Sequence, residues 1–209
     1  IRASVASRGL VDVYKRQVAA SGAAHTAADA AKFKSRDENT NEKETKNQNY
    51  AMQNYRRGFD LSKKRSIHGA NGVGMVLAEQ GFLDEAKTIF QRVRESTEDF
   101  PDGWTNLAHM YVAEKESFQA IKLYEKCHKK FYGNADVSLL QYIARAYYDW
   151  AREQQDKGEL ETAAEKMRDC QRHVEKSLHL DPSHHISWFN LAVAKLQAAS
   201  YVICLLYTS

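Results

Sequence analysis

Residues 104–127 read WTNLAHMYVAEKESFQAIKLYEKC. Trp104, Leu107, Ala108 and Tyr111 share one face at helical spacing, and Ala120, Tyr124 and Cys127 do so again after a polar break. Set 34 residues upstream, the same pattern returns: Ala70 aligns with Trp104, Gly74 with Ala108 and Leu77 with Tyr111. Ala86 then aligns with Ala120, Phe90 with Tyr124 and Val93 with Cys127. That period, with a small residue between large ones on a first helix and Ala-x-x-x-aromatic on a second, is the signature of the tetratricopeptide (TPR) repeat. The expected fold is all-α, an α-solenoid of helix–turn–helix repeats.

The signature has a packing origin. Two helices that cross closely need small residues at the contact, a role assigned to Gly74, Ala108 and Ala144 on first helices and to Ala86 and Ala120 on second helices. Phe90, Trp104, Leu107, Tyr111 and Tyr124 fill the surrounding space. One pair cannot cover its own apolar face, so neighbours stack.

Working outward, Ala51-x-x-x-Tyr55-x-x-Gly58 reads as the second helix of a preceding repeat over 50–61. Repeats at 67–100 and 101–134 follow, then an extended repeat at 137–182 and the start of another at 185–200. The extended repeat opens with Leu140-x-x-Ile143-Ala144-x-x-Tyr147 and stops at Pro182, which cannot continue a helix. It holds about 14 residues beyond the usual period. Both its helices are expected to be longer by about two turns, roughly 10 Å, with Gly158 at the turn. Trp188-x-x-Leu191-Ala192 opens the last segment.

Outside 50–200 the periodicity ends. Residues 18–49 are Ala-rich and then polar, and are expected to form a linker or loop, partly helical around Ala23–Phe33. SRGLVDVYKRQ (Ser7–Gln17) and CLLYTS (Cys204–Ser209) resemble translated adapter sequence. Residues 1–17 and 201–209 are therefore expected to be non-native tails on an internal piece of a longer protein.

Two prolines, ten glycines, 43% hydrophobic and 27% charged residues suit a helical protein better than a sheet. A net charge of +3 is too balanced to point to nucleic acid or a membrane surface. Cys127, Cys170 and Cys204 are widely spaced, which argues against a disulfide framework or zinc site and for a reducing compartment. The start has no signal-peptide apolar core, and the sequence reading expects no apolar run near the roughly 20 residues of a membrane helix.

No enzymatic set emerges. The glycines of His68–Gly74 lack a P-loop lysine and read as close helix packing, and His184-His185 reads as a helix-start loop. No metal ligand set, cofactor site or small-molecule substrate site is expected, and the chain is not expected to be an enzyme. In a TPR stack the first helices line a groove, so the candidate partner-binding residues are Asn71, Met75, Asn106, His109, Tyr142, Arg145, Phe189 and Asn190, with Thr105 and Gln141 beside them. Asn106 and Asn190 share one slot of W-x-N-L-A, where an amide can both donate and accept. The carboxylate clamp of co-chaperone TPR domains uses basic and amide slots that here hold Asn71, Met75, Asn106, Ser138 and Tyr142; only one fits, so that clamp is not expected.

Three segments are more particular than the generic repeat: HGANGVGMVLAEQGFLDEAKTIFQRVRE, GWTNLAHMYVAEKESFQAIKLYEKCHKKFY and WFNLAVAKLQ. They closely resemble the large TPR scaffold subunit of the RNA polymerase II-associated factor (PAF) elongation complex, across roughly Tyr50–Ala198. The resemblance implies a nuclear scaffold that binds the other subunits of that complex and supports transcription elongation and co-transcriptional histone modification, contacting polymerase and chromatin indirectly. The long third repeat departs from the family, and no single binding residue is carried over from it. The competing reading is a generic TPR peptide-binding adaptor outside transcription.

Overall fold

A computed structural model describes residues 27–63 and 65–208. Ser7–Gln17 and residues 18–26 lie outside the described residues. The described chain is all-helical: α1 (Ala27–Leu61), α2 (Ile67–Glu79), α3 (Leu83–Ser96), α4 (Pro101–Ala113), α5 (Ser117–Tyr132), α6 (Val137–Asp156), α7 (Leu160–Leu180) and α8 (His185–Thr208). The chain divides into a unit up to Ile89 and one that begins at Phe90.

In the first unit α1 packs on α2. Gly72 is buried, and a Cβ there would overlap the ring of Tyr55; only a glycine lets the two helices come this close at that point. Ser66 caps α2 by accepting from the Gly69 N–H at 3.0 Å. The long α1 makes residues 27–49 helical throughout, where the sequence suggested a linker or loop that is partly helical around Ala23–Phe33. Between Ala27 and Arg57 α1 contains neither proline nor glycine, and Lys, Glu, Gln and Ala favour the helix even where nothing apolar is buried. Glu42 and Lys46 stand at i,i+4, the supporting order for an exposed helix.

In the second unit α4 packs on α5, α5 on α6, α6 on α7 and α7 on α8. Short connections between packed neighbours make successive helices antiparallel. Gly133 (φ 56) ends α5 in the left-handed conformation that glycine tolerates, and Gly158 (φ 82) does the same between α6 and α7. These last two helices run 20 and 21 residues, against 13 and 16 for α4 and α5. Their core joins Ala144, Ala151, Ala163, Met167, Cys170 and Val174 to Leu191, Ala194 and Tyr201 of α8.

Residues 201–208 continue α8, and Tyr201 is 1% exposed, its hydroxyl donating to Gln155 Oε1 at 3.1 Å. The apolar stretch of α8 also extends further than the sequence reading allowed. His185–Leu206, with mean hydropathy 1.5, is long and apolar enough by length and composition to cross a membrane, and only 17% of that window is buried. α8 carries the W-x-N-L-A signature, one face packs on α7, and Trp188, Leu196 and Leu206 stand exposed.

Candidate partner-binding face

The expected packing residues divide by environment. Ala86, Phe90, Leu107, Ala108, Ala120, Tyr124 and Ala144 are 0–3% exposed, and Gly74 is buried. Trp104 and Tyr111 are half-buried, Pro182 is exposed and Trp188 is 56% exposed. Trp188 instead donates its Nε1–H to the Pro182 carbonyl at 2.9 Å, holding the turn before α8.

In the second unit the first helices of successive repeats, α4, α6 and α8, meet through the expected groove residues. His109 of α4 lies edge-on to Tyr142 of α6, with ring centroids 4.7 Å apart, and its Nδ1 shares a 2.6 Å hydrogen bond with the Tyr124 hydroxyl. Tyr124 and Tyr142 rings stand 5.8 Å apart. Burial pushes the His109 pKa down to about 4, and burial pushes both phenols up, Tyr124 well above the ordinary range. At neutral pH all three groups are uncharged, and a protonated phenol donating to a neutral imidazole fits those directions. His109 and Tyr142 therefore help form the joint between repeats.

A second joint is polar. Gln141 of α6 donates through Nε2 to the hydroxyls of Ser177 (2.6 Å) and Ser187 (2.8 Å), while its Oε1 accepts from Asn190 Nδ2 of α8 at 2.6 Å. Ser177 donates onward to the Val174 carbonyl at 2.7 Å, and Ser187 is 2.7 Å from His184 Nδ1. Both serines are fully buried, so the network satisfies groups that would otherwise be costly inside the stack. His184 belongs to this helix-start arrangement; among the described residues no group of three His, Cys, Asp or Glu could hold a metal ion.

The remaining candidates are scattered. Arg145 reaches Asp149 one turn on, with Nε 3.0 and 2.9 Å from the two carboxylate oxygens, and its head stays exposed. Phe189 is 52% exposed and Asn106 half-buried. In the first unit Asn71 is 5% exposed, with its amide 3.7 Å from the Met75 sulfur, so those two face each other along α2. Sequence reasoning missed Ser177 and Ser187, because two serines 10 positions apart on different helices carry no periodic signal. It also passed over α5, where Lys122, Lys126 and Lys129 recur at i, i+4 and i+7 on one face.

No family model matches the chain. It is 33% identical over 140 residues to the Protein CTR9 homolog of Arabidopsis thaliana, covering 65% of this chain and 12% of that protein. It is 38% identical over 98 residues to the RNA polymerase-associated protein CTR9 of Caenorhabditis elegans (47% and 8%). The same-named protein of Saccharomyces cerevisiae is 30% identical over 135 residues (64% and 12%). The chain thus spans 8–12% of the length of these curated relatives. Among solved structures it resembles a human IFIT1 dimer bound to PPP-AAAA (TM-score 0.58, 15% identity, 69% of this chain and 32% of that one). It also resembles MamA from Desulfovibrio magneticus RS-1 (TM-score 0.54, 17% identity, 77% and 84%). At those identities the likeness concerns the fold, which is that of TPR-like helical-repeat proteins.

Proposed function

We propose that this chain is part of a TPR scaffold for RNA polymerase II transcription elongation and co-transcriptional histone modification. In the nucleus it holds other subunits of a polymerase-associated complex and contacts polymerase and chromatin through them. The observation that carries this reading is the similarity to CTR9 proteins of a plant, a worm and a yeast, which are 30–38% identical over the matched stretches. The geometry supports holding rather than chemistry: the polar groups Gln141, Ser177, Ser187 and Asn190 make short contacts that lock helices to one another.

The adaptor reading calls for a groove of available amides and charges. Asn190 is occupied by Gln141 and Arg145 by Asp149, which favours the scaffold. Mapping where the full-length protein sits on chromatin tests the proposal. Occupancy along the bodies of transcribed genes, lost when elongation is blocked, is the expected result; occupancy independent of transcription would overturn it.

A further inference from the structure

We infer that the outer face of α5 is a second docking surface, separate from the first-helix face, and that it takes a short acidic segment of a partner protein carrying one apolar side chain. Lys122, Lys126 and Lys129 are exposed along one face of the eight residues 122–129, about 10 Å of helix. Lys126 and Lys129 make no ion pair among the described residues. With Lys130 and Trp104 they line an open depression of about 440 Å³. Lys130 lies 5.7 Å from the Trp104 ring centroid and 5.2 Å from that of Phe131, so the depression sets cations beside an aromatic ring.

The chain already shows what these lysines accept. Glu98 and Asp99, 83% and 91% exposed, bring carboxylate oxygens to 3.4 and 3.7 Å from Lys130 Nζ. Such exposed pairs are weak and are readily exchanged for a partner's carboxylates. An acidic segment would pair with the uncompensated Lys126 and Lys129 and seat its apolar side chain over Trp104. A nucleic acid fits less well. Backbone-driven binding draws on roughly six to ten phosphate contacts, whereas this face offers only a few lysines beside Glu98, Asp99 and Glu125.

Fluorescence anisotropy on the whole chain tests it, with a labelled peptide of Asp and Glu around a single central Leu as probe. Its Asn/Gln analogue and an oligouridylate of equal length serve as the other arms. Saturable binding of the acidic peptide that falls with added salt is expected, with little binding of the analogue. K126E/K129E should weaken it about tenfold or more, because charges of the wrong sign repel. Circular dichroism checks that this variant folds; should it not, K126A/K129A is expected to weaken binding in the same direction. No saturable binding of the acidic peptide, equal affinity in the folded lysine variant, or tighter binding of the oligouridylate would each overturn the inference.

Discussion

Asn190 of α8 donates its amide hydrogen to Gln141 Oε1 of α6 at 2.6 Å, so the asparagine of the W-x-N-L-A signature serves the joint between repeats. Gln141 also holds Ser177 and Ser187, which makes it the hub of the network. Gln141→Leu should leave two buried hydroxyls and the Asn190 amide short of partners. A loss of about 1–3 kcal/mol of stability is expected, read as a lowered midpoint in urea unfolding. A midpoint equal to wild type would mean the network is not formed in solution.

The His109–Tyr124–Tyr142 cluster predicts a pH dependence. His109 has a folded pKa of about 4, below the 6.5 of an ordinary histidine, because burial disfavours its charge. Between those values the unfolded chain binds more protons than the folded one, so stability rises with pH. The contribution is complete above about pH 6.5 and diminishes as pH falls toward 4. At pH 5 this one group should cost about 2 kcal/mol relative to pH 7. Urea unfolding across this range, compared with His109→Gln, checks it: the variant should show a shallower decline. Parallel declines would contradict the assignment to His109.

Ala108 is fully buried, in the slot that the repeat keeps small. Ala108→Trp should overfill it and destabilise by about 1–3 kcal/mol or more. The thermal midpoint should fall by several degrees. An unchanged midpoint would refute the register.

Tyr201 gives a contrasting case. It is 1% exposed and packs in the α6–α7–α8 core, within a segment that the sequence alone marked as a tail. Tyr201→Ala should therefore cost about 3–5 kcal/mol, as large-to-small changes in cores do, while Cys204→Ser, at an exposed position, should leave the midpoint close to wild type. Equal midpoints for both variants would place Tyr201 outside the core.

These residues mark what was legible in the sequence. The helical-repeat fold was readable because close helix crossing imposes alanine or glycine at fixed intervals, as at Ala108 and Ala120. The helicity of residues 34–49 was not, since a polar stretch carries no apolar period to detect. The apolar length of α8 was hidden as well: Lys195 and Gln197 interrupt the run, so it does not stand out as an unbroken hydrophobic block. At the candidate site the first-helix positions could be named, but not which of them bond to one another. Asn190 and Gln141 lie 49 residues apart, a contact that only the stacking of the extended repeat creates.

A scaffold of the transcription elongation machinery should keep its partners when the full-length protein is purified from nuclei at natural abundance and its companions are identified by mass spectrometry. RNA polymerase-associated subunits recovered in fixed proportion to the protein are the predicted result. Chaperones recovered alone, with no polymerase-associated subunit, would contradict it.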